Sequence, residues 1–420
     1  MASGDILAAI DIGSSKIVIL LGDKKEGRLE VIGYAKGPSV GVKKGEIVDV
    51  EKVAEAIYEI GKQVRESYNT EFHGVAVNVS DPNLKTINLN PNIHIPNGKV
   101  REQHVKNTIM NAESVRIEST ERQINSVVHY YTLDKDPNTH KGNVVQQPIG
   151  EKAENLEASI HIAVTSEQRA KNIEKSVEMN GIKVHNFVPS SMASSEPYLT
   201  EHQKEQGVCV VDIGSGVTDL SVFKNGGIFY SSAIQVAGDQ ITIDIADAFN
   251  TSFAEAERLK KKYGQVQSKG ISEDKLVKFK QIDNNTQDYY LSYVSLNEVV
   301  QESYKNLFSL IRKKLNSQKL YRSLKLGFVL VGGGAKIKGC DRLMFDCYKK
   351  RAKIGVVDRD IIRLDPISIS SNDDLLGPEY ACALGLLLSN HKKLELEERQ
   401  QIDNDTGLMG KIKQKYFKQI

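Results

Sequence analysis

The sequence predicts an α/β fold built from two related domains. Apolar strands alternate with amphipathic helices, as where a helix at 50–68 precedes a strand at 74–79. The tetrapeptide Asp-Ile-Gly-Ser follows an apolar strand twice, at Asp11 and again at Asp212, and another strand follows each copy. Because the two copies lie about half the chain apart, we infer that one α/β unit occurs twice.

The composition is that of an ordinary globular protein. The chain has 420 residues, 40% hydrophobic and 26% charged, a length that suits roughly two to four domains. Its 56 basic and 54 acidic residues leave a formal net charge of +2. Such a balance creates no broad positive field, so we expect no nucleic-acid partner.

Cysteine usage and hydropathy predict a cytoplasmic protein. The four cysteines form no Cys-x-x-Cys pair, and three lie in or beside apolar runs, as reduced buried thiols do. The first residues lack the features of a secretion signal, and no window reaches the ~18 consecutive apolar residues of a membrane-spanning helix. We therefore expect a protein that is neither secreted nor transmembrane. The nine histidines show no metal-binding spacing.

The first α/β domain is predicted at 1–80 and 158–200. Between them, residues 81–157 are polar and rich in loops, with a helix at 101–113, which indicates an inserted subdomain. The strands and helices predicted for the first domain are 6–10, 17–21, 29–34, 50–68, 74–79, 159–165, 167–180 and 184–188.

The second α/β domain is predicted at 201–239 and 325–388, with an apolar strand at 327–331. A smaller subdomain at 240–324 separates its two parts and contains charged helices. Residues 389–406 are rich in charge and lack an apolar face, so we predict a flexible linker there. The tail 407–420 follows it.

The two Asp-Ile-Gly-Ser turns have the chemistry of a phosphate clamp. Glycine leaves room for a phosphate to approach backbone N–H groups, and hydroxyls add donors. Asp11 and Asp212 would repel phosphate, so a carboxylate in each turn indicates a hydrated Mg²⁺ between protein and nucleotide. One turn alone would more readily be a simple glycine turn, but two matching copies favour the clamp. The predicted phosphate ligands are Gly13, Ser14, Ser15, Lys16, Gly214, Ser215, Gly216 and Thr218.

A third glycine-rich turn, 332–334, follows the strand at 327–331. Its bare backbone could admit a flat ligand or a phosphate. By itself the turn could also belong to a dinucleotide-binding motif. No Gly-x-Gly-x-x-Gly spacing follows it, however, and in the second phosphate turn Asp219 stands where a third glycine would be. Dinucleotide binding is therefore the weaker interpretation.

These three turns, in this order and with the stretch AERLKKKYG at 256–264, resemble the actin-like ATPases. Within that superfamily the chain is most similar to the FtsA family of bacterial cell-division proteins. The stretches SMASSEPYL, GVCVVDIGSG and LVGGGAKIKG carry the resemblance, which covers nearly the whole chain. It implies an actin-like fold: two ribonuclease-H-like α/β domains around a nucleotide cleft, an inserted FtsA-type subdomain, and a C-terminal amphipathic helix.

The resemblance also implies a role for each site residue. Asp11 and Asp212 would organise Mg²⁺, and the two turns would hold the phosphates of ATP. Glu257 and Lys260 lie three apart on one helix face, and the family pattern assigns them to ribose and base, although the two alone would be interpreted as a surface ion pair. We expect slow ATP hydrolysis at most; no residue is identified as the catalytic base, so the catalytic residue stays open. The implied adenosine contacts are Gly333 and Gly334, with Lys336 a weaker candidate.

The partners implied by the resemblance are those of a division protein. It would form filaments, anchor FtsZ polymers to the inner face of the cell membrane at the division site, and recruit other division proteins. The FtsZ C-terminal peptide would bind within 240–324, where family members often carry an Arg at the place of Ser303, so the residues that bind it here stay open. Other roles of the same superfold remain: a pilus-assembly relative, a chaperone-type ATPase or a phosphotransferase.

The tail predicts a basic amphipathic helix that lies on an anionic membrane surface as a peripheral anchor. A helix docked on the protein itself and a disordered tail are the alternatives, and the family resemblance favours the membrane. Each lysine contributes about 1 kcal/mol near anionic lipid, so one tail binds weakly and stable attachment needs many tails on one polymer. The predicted membrane-binding residues are Leu408, Met409, Lys411, Ile412, Lys415, Tyr416, Phe417, Lys418 and Ile420.

Overall fold

A computed structural model describes residues 6–25, 28–136, 138–139, 141–266, 275–282, 289–366, 368–369 and 374–391 of the chain. The predicted membrane-binding helix and all but the first three residues of the predicted linker lie outside the described residues. Within them, no helix combines the length and the hydrophobicity needed to cross a lipid bilayer.

The described part of the first half of the chain contains two large sheets and a two-stranded one, which pairs Val42–Lys43 with Glu46–Ile47. Its elements in chain order are β1 (Leu7–Ile12), β2 (Lys16–Lys25), β3 (Arg28–Pro38), β4 (Val42–Lys43), β5 (Glu46–Ile47), α1 (Val50–Tyr68), β6 (Gly74–Val79), β7 (Lys85–Leu89), β8 (Asn92–His94), α2 (Glu102–Glu113), β9 (Glu121–Leu133), β10 (Asn143–Val145), β11 (Asn155–Ser166), α3 (Glu167–Glu178) and β12 (Lys183–Pro189).

The second half contains a third large sheet and most of the helices. Its elements are α4 (Ser190–Ala193), α5 (Glu201–Gln206), β13 (Val208–Ile213), β14 (Thr218–Lys224), β15 (Gly227–Ile234), α6 (Gly238–Phe249), α7 (Phe253–Tyr263), β16 (Leu276–Phe279), β17 (Tyr289–Ser292), α8 (Tyr293–Ser317), β18 (Phe328–Val331), α9 (Cys340–Tyr348), β19 (Ala352–Ile354), β20 (Ile362–Leu364) and a helix at 381–391.

The first main sheet has the strand order β12-β6-β1-β2-β3-β20. Helix α1 has the predicted bounds, because Asp49 caps its first turn by accepting from the N–H of Lys52 and Asn69 ends it in a left-handed conformation. Its apolar face, including Val53 and Ile57, packs against the sheet together with α3.

The second main sheet has the order β15-β14-β13-β18-β19, and helices α6, α7 and α8 cover one face. Central strands of both main sheets are buried on both faces. In β2, Ile17 and Ile19 pack towards α1, whereas Val18 and Leu20 point towards a core shared with the helix at 381–391. That shared core also contains Val210 of β13, so it joins the two main sheets.

The inserted region forms its own sheet, ordered β10-β9-β11-β7, with β8 paired to β11 and α2 packed on it. One strand leaves its predicted neighbourhood. Residues Ile362–Leu364 lie in the range predicted for the second domain but pair in parallel with β3 of the first main sheet. The domain boundaries themselves stay a prediction.

Candidate functional site

Both Asp-Ile-Gly-Ser turns are tight β-hairpins, each following the first strand of a main sheet. In the first turn the N–H of Gly13 donates to the carbonyl oxygen of Lys16 over 3.1 Å, and in the second the N–H of Gly214 donates to that of Val217 over 3.0 Å. Strand pairing is antiparallel on both sides of both turns. The two copies seen in the sequence therefore share one backbone geometry.

The two turns lie against each other. A Cβ atom added to Gly216 would lie 2.6 Å from the hydroxyl oxygen of Ser14 and 2.9 Å from the Cα atom of Lys44. A side chain at this position would therefore push the turns apart. Ser15, by contrast, is exposed.

The carboxyl groups of Asp11 and Asp212 are both buried, with 8% and 9% of each residue exposed. Burial raises the pKa of Asp11, opposed by the charge of Lys16 and a hydrogen bond with Cys382. For Asp212, burial and then the charge of Asp11 raise the pKa to about 7, although Ser194 and Lys16 oppose the rise. The two carboxyl groups thus interact across the turns.

Lys16 is held beside the turns by the segment that precedes the helix at 381–391. Its ammonium donates to the carbonyl oxygen of Glu379 over 2.9 Å and lies 4.1 Å from the ring centre of Tyr380. The Tyr380 hydroxyl in turn accepts from Lys36 over 2.6 Å. Burial lowers the pKa of Lys16, and the nearby charge of Asp11 opposes that change.

Asp219 was not selected from the sequence as a site residue, yet it is part of this acidic cluster. It pairs with Asp212 across the hairpin, and only 8% of it is exposed. Burial, followed by the charges of Asp212 and Asp11, raises its pKa well above the usual value. The sequence signal was available, because a hairpin closed at 214–217 places residue 219 opposite residue 212 on the same face.

Helix α7 brings Glu257 and Lys260 behind the second turn. Their charged groups are 2.6 Å apart, and Lys260 also donates to the carbonyl oxygen of Gly238 over 2.8 Å. The N–H of Gly238 donates to the carbonyl oxygen of Gly214 over 3.0 Å. Only 12% of the Lys260 side chain is exposed, so the pair is not the surface ion pair that the spacing alone would indicate.

The hydroxyl groups predicted to bind phosphate differ in their surroundings. Thr218 is fully buried, and its hydroxyl donates to the carbonyl oxygen of Val236 over 2.8 Å. The hydroxyl of Ser14 accepts from the N–H of Gly45 over 2.9 Å. Ser215 is half-buried, and its carbonyl oxygen accepts from the N–H of Asp239 over 2.7 Å. Thr218 thus contributes chiefly by fixing the backbone of the turn.

The third glycine turn packs on the second. A Cβ atom on Gly334 would lie 2.4 Å from Cγ2 of Ile213, whereas one on Gly333 would meet nothing within 4 Å. Gly333 therefore presents open backbone beside the second turn. Lys336 forms an ion pair with Glu379, which connects this turn to the segment that holds Lys16.

Ser303 lies elsewhere, in the contact between α6 and α8. It is buried, and its hydroxyl donates to the carboxylate of Asp244 over 2.5 Å. A side chain in that position faces its own protein and offers no surface to a partner.

Comparison with known proteins agrees with this architecture. The sequence model described as "Cell division protein FtsA" matches residues 209–385. FtsA of Pseudomonas aeruginosa is 30% identical over 393 residues, which cover 93% of this chain and 90% of that protein. FtsA of Escherichia coli K12 is 28% identical over 414 residues, covering 96% and 95%.

Two solved structures share the fold. A PilM-PilN type IV pilus biogenesis complex superimposes with a TM-score of 0.62 at 17% identity, covering 91% of this chain and 98% of that chain. MreB5 of Spiroplasma citri bound to ADP gives a TM-score of 0.55 at 13% identity, with coverage of 95% and 98%. These similarities confirm the predicted actin-like fold. Together with the extent of the FtsA matches, they lead to one conclusion: the chain belongs to the FtsA family of cell-division proteins.

Proposed function

We propose that this protein binds ATP with Mg²⁺ between its two Asp-Ile-Gly-Ser turns, forms filaments, and anchors FtsZ polymers to the cytoplasmic face of the cell membrane. One observation carries the nucleotide part: two matched hairpins from the two halves of the chain bring Asp11 and Asp212 into electrostatic contact. MreB5, which shares the fold, is described as bound to ADP.

The acidic pair fits a divalent cation. Burial leaves both carboxyl groups short of solvation, and one lysine, Lys16, is the cation that acts on both. Among the described residues, no group of three or more His, Cys, Asp and Glu side chains is arranged to hold a metal. Mg²⁺ would be held by Asp11 and Asp212 through water, because this buried acidic pair lies at the two turns, and when bound it would neutralise phosphate charge.

The chain's own groups would do the rest of the binding. Lys16 is already positioned by Glu379 and Tyr380, so little conformational entropy is lost when it meets a phosphate. On the other side, Lys260 is connected through Gly238 to the second turn. The ribose of a bound nucleotide would contact Lys260 and its phosphates would contact the second turn. Both contacts would thus be made to groups that are already hydrogen-bonded to each other through Gly238.

The same cluster supports slow hydrolysis at most. A general base must accept a proton near neutral pH. No residue of the cluster is identified as such a base, and Asp219, the buried carboxyl beside the pair, lies in strand β14 outside both turns. ATP would then act mainly by holding the two halves together, which favours polymerisation over turnover.

Family membership supports the division role over the alternatives. Relatives named as division proteins match more than nine-tenths of this chain, whereas the pilus-assembly complex shares 17% identity and shows the fold alone. A phosphotransferase would need an acceptor site that no motif indicates. FtsZ contact would involve residues 240–324, but through side chains other than Ser303, because that residue is buried against Asp244.

The membrane and FtsZ parts are tested by co-sedimentation with anionic liposomes. The full-length chain and a chain that ends at Thr406 are compared, each with and without Mg-ATP and a peptide of the FtsZ C-terminus. We expect the full-length protein to pellet with lipid and carry the peptide down, and the truncated chain to stay in solution.

A matched variant distinguishes an effect of the tail's charge from an effect of chain length. Replacing Lys411, Lys415 and Lys418 by Glu keeps the tail but reverses its charge, so it should lose binding to anionic lipid. Equal sedimentation of the full-length and truncated chains would rule out the tail as the anchor. The nucleotide site would still be open to test by binding.

A further inference from the structure

The short hairpin of β4 and β5 has its tip between the two phosphate turns. Lys44 and Gly45 at the tip both have a left-handed backbone, with φ of 47° and 76°. The N–H of Gly45 donates to the hydroxyl of Ser14 in the first turn over 2.9 Å. A Cβ atom on Gly45 would lie 2.9 Å from Cγ2 of Val217 in the second turn. The tip thus touches both turns and has no spare volume.

Arg169, in the first turn of α3, holds this tip from behind. Its guanidinium donates to the carbonyl oxygens of Gly45 over 3.0 Å and of Ser80 over 3.1 Å, and 11% of its side chain is exposed. Glu46 lies 3.7 Å away on the outer side. Both bonds come from one guanidinium nitrogen, Nη1, so Arg169 fixes the relative position of the two carbonyl groups.

The same arginine lies where the chain enters and leaves the inserted sheet. Asp81, just after β6, is the first residue of the inserted region, and its carboxylate lies 3.6 Å from the guanidinium of Arg169. Thr165, near the end of β11 where the chain returns, donates its hydroxyl to that carboxylate over 2.5 Å. Both crossings therefore meet in one buried cluster around Arg169.

We infer that Arg169 is a positioning residue for the nucleotide site and couples that site to the orientation of the inserted subdomain. The inference rests on the proposed function, since it requires a nucleotide between the two turns. A ligand that shifts Ser14 or Val217 must also shift the tightly packed tip. The tip's carbonyl oxygen then displaces Arg169, and Arg169 displaces the two hinge segments at Asp81 and Thr165.

The chain offers a matched control in Arg122. This residue of β9 also binds α3 from the inserted sheet, by bonds of 2.8 Å to Glu167 and 3.0 Å to Glu174. Its charged partners are all on the helix, and none of them is on the β4–β5 tip. Arg169→Met and Arg122→Met therefore each remove one arginine from the contacts of α3, but only the first frees the tip.

The experiment uses the full-length protein and two measurements. Titration with fluorescent MANT-ATP and Mg²⁺ gives nucleotide affinity, and amide hydrogen exchange with and without nucleotide reports on the hinge segments around Asp81 and Thr165. We expect Arg169→Met to weaken binding by about tenfold, because only part of the energy of its two lost charge-assisted bonds within the protein is felt at the nucleotide site, and to remove the nucleotide-dependent protection of the hinges. Arg169→Lys should recover part of both effects.

A second variant approaches the tip from the other side. Gly45→Ala adds a Cβ atom 2.7 Å from the Ser80 hydroxyl at a left-handed position, so it should weaken nucleotide binding while Arg169 stays in place. Melting curves of all variants without nucleotide identify any that fail to fold. If Arg169→Met fails to fold, Arg169→Lys and Gly45→Ala decide the result. Arg122→Met should bind nucleotide within a factor of two of the wild type.

The outcomes separate this inference from the proposed function. Unchanged nucleotide affinity in Arg169→Met would overturn the positioning role. If affinity falls but nucleotide still protects the hinges, the coupling is wrong. If Arg169→Met increases hydrogen exchange around Asp81 and Thr165 equally with and without nucleotide, Arg169 has only a structural role there, and the coupling is overturned as well. A wild-type protein that binds no nucleotide would refute the proposed site itself.

Discussion

Acidification is predicted to loosen the contact between the inserted sheet and the second main sheet, because a half-buried histidine, His129, and a buried one, His161, lie there. His129 of β9 packs so closely on Gly227 of β15 that a Cβ atom on this glycine would be 2.2 Å from its ring. The ring of His161 in β11 lies 6.1 Å from that of His129. His161 bonds Asn88, which donates to the carbonyl oxygen of Phe229 in β15.

The charges around the pair and their burial set the sign of the effect. Burial lowers the pKa of His129 to about 4, with the backbone of Ile228 and the charge of Glu196 opposing and Lys204 assisting. Burial and the neighbouring His129 lower the pKa of His161 to about 3. An unfolded histidine has a pKa of about 6.5. The folded protein therefore binds fewer protons, and stability falls as the pH drops from about 6.5 towards the folded values.

The magnitude follows from those pKa differences. Between pH 7.5 and pH 5, each histidine costs about 2 kcal/mol, so the pair costs about 4 kcal/mol of the free energy of unfolding. Urea unfolding followed by circular dichroism at the two pH values measures the loss. A variant with His129→Gln and His161→Gln should lose about 4 kcal/mol less on acidification than the wild type does.

Other groups also titrate over this range, so the comparison uses a control histidine. His202 is exposed on α5, and His202→Gln should show the full wild-type loss. Hydrogen exchange at pH 5 should increase first in β15 and β9. If the double variant loses as much stability on acidification as the wild type, the histidine pair is not the source and the reasoning is refuted.

Three further predictions concern the other sites. Asp212→Asn should weaken Mg²⁺-dependent ATP binding more than tenfold, measured by calorimetry. The same variant should have a higher melting temperature than the wild type in EDTA at pH 8. The reason is that ionising a buried carboxyl whose pKa is about 7 costs stability as the pH rises, and asparagine cannot ionise. Gly334→Val should cost about 1–3 kcal/mol in urea unfolding, since even its Cβ atom overlaps Ile213. Ser303→Ala leaves Asp244 short of a donor and should cost about 1–2 kcal/mol, while FtsZ peptide binding, followed by fluorescence anisotropy, stays unchanged.

Local patterns predicted the elements well. Helix α1 was assigned its observed bounds because its apolar spacing and its capping residues are encoded within a few positions of each other. The two hairpins followed from the repeated tetrapeptide for the same reason. Strand β20 was not predicted, because three residues are too few to show a periodic spacing of apolar residues. Their conformation depends on pairing with β3, more than 300 positions earlier. Pairing at that distance leaves no local signal.

The candidate site shows the same limit. Residue types singled out the two Asp-Ile-Gly-Ser turns, but not what each side chain would contact. Thr218 looked like a phosphate donor, although its hydroxyl is bonded to Val236. Arg169 and Asp81 were not singled out at all, since an arginine early in a polar helix and an aspartate after a strand are common. Only the fold, which brings β6, β11 and the β4–β5 tip together, makes them neighbours.

The two turns share a backbone but differ at two positions, Ser15 against Gly216 and Lys16 against Val217, and the second difference gives the turns different roles. Lys16 of the first turn corresponds to Val217 of the second. The first turn therefore carries the positive charge, and the charge of Lys16 is the largest effect that lowers the pKa of Asp11 against burial. The second turn uses the same position to pack the β4–β5 tip. Asp212 consequently has no lysine in its own turn, and the charge of Asp11 raises its pKa further. An acidic pair that shares one lysine keeps a net negative charge when ionised, so the asymmetry that seats the tip also supports the proposed cation at this pair.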